Sequence, residues 1–225
     1  MQHELVRAKH GREFTEDVLL LVEHDPVFTL GRQGRREGLL VSEQFLVDRG
    51  IGIEHIERGG DITYHGPGQL VAYLILNLRL AGLRITSFVS RMEEVMLRTS
   101  RDVQVPATRN PKNKGAWVGE RKLGSLGIAI RHGITFHGLA LNVNTDLTPF
   151  SYIHPCGLAG VQMTSLHLEA GQLQDMDRIK QAMIGHIIDE FSLEPASQSR
   201  ALTSLDCGPK TREAKDPLTS DKQSG

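Results

Sequence analysis

Cysteine is scarce in this chain: Cys156 and Cys207 are the only two in 225 residues. That excludes a disulfide framework and a four-cysteine zinc site, and it suits a reducing compartment. Long apolar runs are also missing. None approaches the roughly 18 residues needed to cross a bilayer. The N-terminal stretch MQHELVRAKHGREF is polar and has no apolar signal core, so the expected location is cytoplasmic, without membrane association. Charge of one sign is lacking as well. With 26 Lys and Arg against 27 Asp and Glu, the net charge is -1 and the pI is about 6.8. No global positive field would hold nucleic acid. Three signatures are absent: G-x-x-x-x-G-K-[ST], G-x-G-x-x-G after a strand, and G-x-S-x-G. A phosphate-cradling loop, a dinucleotide fingerprint and a hydrolase nucleophile elbow are thereby excluded.

What is present points to an α/β (α+β) protein with one large domain, since a typical domain has roughly 150 residues. Short apolar runs at Val18–Val22, Val71–Leu78, Leu123–Ile130 and Ile134–Val143 have strand length. The last two are separated by Arg131-His132-Gly133, which suggests a hairpin. Runs apolar on both faces suggest strands in the middle of a covered sheet. A helix capped by Thr86 or Ser87 would place Phe88, Val89, Met92, Val95 and Met96 on one face. A second, starting near Asp175 or Asp177, would align Ile179, Met183, Ile187, Ile188 and Phe191. Between them, Asn110–Gly115 reads as a polar loop. Strict strand–helix alternation is missing, so a mixed or antiparallel sheet flanked by helices is expected rather than a doubly wound parallel one. The folded domain is expected over 1–194. Residues 195–225, rich in Ser, Lys, Asp and Pro, read as a disordered polar tail.

Four segments carry the candidate chemistry. RGGDITYHGPGQ (Arg58–Gln69) packs glycines around Arg58, Thr63, Tyr64, His65 and Gln69; glycine lets a ligand approach the backbone closely. It could equally be a turn before a strand. Lys122 opens an apolar run with small residues at Gly124, Ser125 and Gly127. It is either a snorkelling surface residue or a functional cation. FHGLA (Phe136–Ala140) sets His137 inside an apolar strand, where a hydrogen-bonded core histidine is the plainer reading. HPCG (His154–Gly157) holds Cys156 in a rigid loop, a candidate nucleophile or a packed free thiol. A metal site from His65, His137, His154 and Cys156 has no supporting spacing, so no metal is expected. The loop Gly31–Gly38, with Arg32, Arg35 and Arg36, is a solvated turn or a dock for an acidic carrier protein.

Taken in order, these segments resemble the lipoyl (octanoyl) transferases. The resemblance runs from LVEHDPVFTLGR (Leu21–Arg32) through RGGDITYHGPGQLVAYLILNLR (Arg58–Arg79) and KLGSLGIAIRHGITFHGLALNVNTDLTPF (Lys122–Phe150) to HPCGLAGVQMTSL (His154–Leu166). It covers about residues 18–194. Family members usually carry a further strand and most of a first helix before the LVEH segment, so residues 1–17 read as a shortened N-terminus. The resemblance implies the fold of biotin and lipoate protein ligases, also termed class II aminoacyl-tRNA synthetase and biotin synthetase-like. It implies transfer of an octanoyl group from octanoyl-acyl carrier protein to a lysine of lipoyl domains, the first step of endogenous protein lipoylation. The acceptors would be 2-oxoacid dehydrogenases, the glycine cleavage carrier protein, or both. Cys156 would form the acyl thioester, with Lys122 lowering its thiol pKa and serving as the base. Arg58, Gly59, Gly60, Asp61, Ile62, Thr63, Tyr64 and His65 would form the substrate loop. Ser125, Leu126 and Gly127 would form a second substrate segment, and Gly138, Leu139 and Ala140 a third. An apolar slot around Leu126 and Leu139 would hold the acyl chain. No cofactor would be needed, and a monomer is expected. Two other readings stay open: an ATP-dependent ligase on the same fold, and a binding relative without catalysis.

Overall fold

The computed structural model describes residues 1–153 and 161–195. Residues Met1–Leu193 form one compact unit. Its largest element is a seven-stranded sheet built on β5 (Gln69–Ile75), β8 (Arg121–Arg131) and β9 (Ile134–Asn142). β5 is buried along almost its whole length, as its unbroken apolar run requires. It pairs antiparallel with β9, and β9 with β8. β1 (Val18–Val22) pairs with the outer side of β5, and β7 (Gly115–Val118) and β6 (Thr108–Arg109) extend the sheet beyond β8. β1 is apolar but lies at an edge, not in the middle of the sheet. Four of its five residues are half-buried, because no described strand pairs with its outer side. β10 (Gln162–Met163) runs parallel to Arg121 and Lys122 of β8, which makes the sheet mixed.

The hairpin between β8 and β9 closes with Arg131 opposite Ile134. His132 and Gly133 both adopt left-handed backbone, with φ of 54° and 81°. This is the two-residue turn whose twist matches the strands it joins.

Alternation assigns the two faces of the sheet. Leu70, Ala72 and Leu74 of β5 and Leu139 and Leu141 of β9 face α3 (Ile85–Arg101) and α5 (Met176–Phe191) in the main core. Phe88, Met92, Val95 and Met96 supply the α3 stripe, while Val89 is half-buried. The helix begins two or three residues earlier than its expected caps, Thr86 or Ser87, suggest. Arg84 occupies the N-cap position, and no side chain caps it. In α5 the Asp175 carboxylate accepts from the Asp177 and Arg178 N–H groups, and Ile179, Met183, Ile187 and Phe191 are buried. Ile188 is half-buried.

On the opposite face two structures share the sheet. At one end α1 (Gln2–His10) packs Val6 against Ile75, Ala129, Ile134 and Phe136. At the other stands a three-stranded sheet of β3 (Gly52–His55), β2 (Val27–Leu30) and β4 (Ile62–His65). Its core holds Phe28, Leu30, Leu46, Ile62, Tyr64 and Phe150. No described helix is long and apolar enough to cross a membrane.

Candidate active site

A small cleft opens where the small sheet meets the large one. Strand periodicity explains its lining. In β4, Ile62 and Tyr64 point into the small core while Thr63 and His65 line the cleft. In β5, Val71 and Tyr73 line it, and in β8 Ser125 and Gly127 do. Two glycines permit the close approach. A Cβ on Gly127 would lie 2.9 Å from Arg58 Cδ, and one on Gly138 would lie 1.9 Å from the Ala72 carbonyl oxygen.

His137 breaks the alternation. Its φ of 56° is left-handed, an uncommon state that histidine tolerates better than most residues. The twist sends its ring into the cleft, edge-on to Tyr73 at 6.2 Å and beside Phe136 at 5.0 Å. Its backbone N–H leaves the ladder and donates to Gln2 Oε1 of α1 at 2.7 Å. The ladder between β5 and β9 therefore stops at Tyr73 and Gly138 and returns as a single bridge between Asn77 and Ile134. In the gap the Thr135 hydroxyl accepts from the Leu76 N–H at 3.0 Å and donates toward the Leu74 carbonyl at 2.6 Å. Nε2 of His137 is buried and has no hydrogen-bond partner among the described residues.

The cleft polar groups are held neutral, apart from Arg58. Burial pushes His65 down to about 3, with the Gln69 hydrogen bond opposing it. Burial, helped by the Arg58 charge, pushes His137 down to about 4. Burial raises Tyr73 to about 12, so its hydroxyl keeps its proton. Tyr73 shares a 2.7 Å hydrogen bond with His24 Nε2, and burial lowers His24 as well. Gln69 fixes the tautomer of His65. Its amide donates to the Tyr64 carbonyl and to Asn142 Oδ1, so its Oε1 must accept from His65 Nδ1 at 2.6 Å. Asn142 passes the chain on to the Thr164 carbonyl at 2.9 Å, and the Thr164 N–H donates to the Lys122 carbonyl.

Arg58 lies flat against β2. Its guanidinium donates to the Thr29 carbonyl at 2.6 Å, to Thr29 Oγ1, and to the Gly59 carbonyl at 3.1 Å. The arginine-bearing loop is sewn to the same segment. The Gly31, Arg32 and Gln33 N–H groups donate to the Asp61, Arg58 and Gly60 carbonyls. Arg32 and Arg35 are exposed at this rim, while Arg36 pairs with Glu43.

Lys122 is 3% exposed. Its ammonium donates to Asn113 Oδ1 at 2.6 Å and stands 5.5 Å from the centre of the Trp117 ring. The backbone of β10 runs beside it, with Met163 opposite Lys122.

Of the expected site residues, the cleft gathers Arg58, Thr63, His65, Ser125, Gly127, Gly138, Leu139 and Ala140. It does not gather Gly59, Gly60, Asp61, Ile62, Tyr64 or Leu126. Gly59 bonds to Ile128, and Asp61 caps the Ile62 N–H. The Leu126 side chain packs against the helix-side core, so Ile56, Val71 and Ala140 make the apolar wall in its place. Cys156 and His154 lie outside the described residues, as do Cys207 and residues 196–225 of the expected tail. Among the described residues no three His, Cys, Asp or Glu side chains converge as metal ligands. Sequence reasoning missed His24, Tyr73, Asn113, Asn142 and Thr164. Tyr73 had a signal, since it shares period two with Val71. Asn113 had none.

The fold is the one shared by the lipoate and biotin protein ligases. A lipoate protein ligase from Thermoplasma acidophilum superposes with a TM-score of 0.67 at 20% identity, over 86% of this chain and 80% of that one. The biotin protein ligase from Aquifex aeolicus gives 0.50 at 12% identity, over 73% and 70%. The chain belongs to the family of the lipoyl protein ligase A/B catalytic domain, whose model matches residues 1–188. The match therefore includes residues before Val18, where the resemblance was expected to begin. An octanoyltransferase from Desulfotalea psychrophila is 48% identical over 192 residues, 84% of this chain and 86% of that one. One from Bacteroides fragilis is 46% identical over 184 residues, 80% and 83% respectively.

Proposed function

We propose that this protein is an octanoyltransferase that moves an octanoyl group from octanoyl-acyl carrier protein to a lysine of lipoyl domains through a thioester on Cys156. The observation that carries the reading is a buried lysine on β8, the strand that lends Ser125 and Gly127 to a glycine-walled cleft with neutral histidines, in a chain 48% identical to an octanoyltransferase. The domain over 1–194 is the catalytic one. The protein acts as a cytoplasmic monomer and uses no cofactor.

The Lys122 ammonium stabilises the Cys156 thiolate, since a nearby cation favours the charged form of a thiol. The thiolate attacks the octanoyl thioester carbonyl. The carrier thiolate leaves and takes the Lys122 proton, which gives a free carrier thiol and neutral Lys122. Lys122 then deprotonates the incoming lysine ammonium. The amine attacks the acyl-enzyme, the Cys156 thiolate leaves, and the amide nitrogen releases one proton to solvent. The acyl chain lies against Ile56, Val71 and Ala140. Each buried methylene contributes about 0.8 kcal/mol, so neighbouring chain lengths are discriminated only modestly. The cleft suits a neutral acyl thioester because His65 and His137 stay uncharged at neutral pH. Arg32 and Arg35 at the rim attract an acidic carrier.

Intact-protein mass spectrometry after incubation with octanoyl-acyl carrier protein, without ATP, tests the reading. One octanoyl mass is expected on the wild type, none on Cys156→Ala, and slowed loading on Lys122→Ala. A folded wild type that stays unmodified without ATP but transfers with it would make the protein a ligase.

A further inference from the structure

We propose that Asn113, in the loop between β6 and β7, is a positioning residue that seats the Lys122 ammonium. The inference rests on the reading of Lys122 as the activating base. Lys122 is nearly sealed from solvent, where an ammonium needs acceptors to replace water. An ammonium has donors and no acceptor, so the Asn113 amide must present its oxygen, as it does at 2.6 Å. The Trp117 ring lies 5.5 Å from the same nitrogen, within the range where a π face attracts a cation.

Asn113 is itself fixed from both sides. Its own carbonyl accepts the Trp117 indole N–H at 3.0 Å. Two residues on, the Gly115 N–H donates at 2.9 Å to Glu93, a carboxylate 1% exposed on α3. Gly115 then enters β7 opposite Ser125, a cleft residue. The loop is thus tied to α3, to the Trp117 ring and to the strand that carries Lys122. A polar loop with no catalytic motif carries the acceptor that orients the lysine. Because this acceptor is neutral, it favours the ammonium less than a carboxylate would, and so leaves the lysine able to give up its proton when the carrier thiolate departs.

Among the described residues, the charged groups of the surrounding elements pair with one another. Glu93 of α3 faces Arg109 of β6 at 3.9 Å and Lys114 at 3.6 Å. Arg121 of β8 pairs with Glu169 of α4 (Leu166–Ala170) at 2.9 Å, and Glu169 also accepts from Thr164 just after β10.

The test is the titration of Lys122 in the full-length protein. It is followed by NMR of ε-13C-lysine, with the resonance assigned by Lys122→Met. Asn113→Asp keeps the side-chain size and sets a carboxylate on the ammonium. It should raise the Lys122 midpoint by about one unit, a tenfold change in the neutral fraction. Asn113→Leu removes the acceptor and should lower the midpoint by a similar amount. The pH limb of octanoyl transfer should move with each midpoint, a shift that a merely structural role would not produce. An Asn113→Asp protein that is folded by circular dichroism yet shows no upward shift overturns the proposal. So do shifts of the same sign in both variants. If the wild type transfers no octanoyl group, the functional reading fails, and the titration still decides the role of Asn113.

Discussion

His65 is buried and His137 half-buried as neutral rings, at about 3 and about 4 against an ordinary 6.5. Their folded pKa values are depressed, so the unfolded chain binds more protons between those values and 6.5. The stability they contribute is complete above pH 6.5 and is lost as pH falls toward 3. For His65, which is 8% exposed, the slope approaches about 1.4 kcal/mol per pH unit in that window. His137 is only half-buried and contributes less. Urea unfolding between pH 4 and 7 should show the midpoint falling with acid, and His65→Gln should flatten the fall. An unchanged slope in that variant would assign acid sensitivity to the carboxylates. At this scale the sequence was partly legible. Period two in ITYH separates His65 from Tyr64, and a glycine at 127 signals a close approach. The inward turn of His137 was not legible, because it goes with a tertiary bond from its N–H to Gln2 Oε1.

Elements show the same division. The α5 stripe and its Asp175 cap were readable, since a carboxylate four residues before a buried isoleucine is local information. The edge position of β1 was not, because apolar composition does not reveal how many neighbours a strand has. The small sheet was missed for a related reason: β2, β3 and β4 have four residues each, and their pairing joins segments far apart in the chain. α1 depends on both packing and polar contacts. Val6 is 1% exposed, and Lys9 reaches the Thr15 and Glu16 carbonyls and Asp17. Its Gln2 satisfies the His137 N–H that the strand leaves open. Gln2→Ala should cost about 1–3 kcal/mol, the usual penalty of an unpaired buried donor. Octanoyl transfer should fall along with stability because His137 lines the cleft. Thermal unfolding and transfer rate, measured together, check this; a loss of stability with normal transfer would confine Gln2 to a structural role.

Across Met1–Leu193, the arrangement is one broad sheet with α3 and α5 on one face and, on the other, α1 and a second, smaller sheet that shares the cleft. The fold class was legible from patterning and resemblance, and part of the cleft lining from the resemblance. The seat of Lys122 was not, since it needs a loop, a helix and a strand to meet. The gap that Thr135 fills has a kinetic consequence. The β8–β9 hairpin closes over two residues and pairs without interruption, so it can form by local contacts alone. The β5–β9 ladder is non-local, and its two stretches meet across a side chain rather than peptide rungs, so it should zip late. Stopped-flow chevrons should therefore separate the two. Gly133→Ala, in the hairpin turn, should slow refolding. Thr135→Val, isosteric and well suited to a strand, should leave refolding nearly unchanged and speed unfolding. Both substitutions acting on the unfolding arm would mean that the hairpin waits for β5, and that the chain commits to the cleft before it commits to the turn.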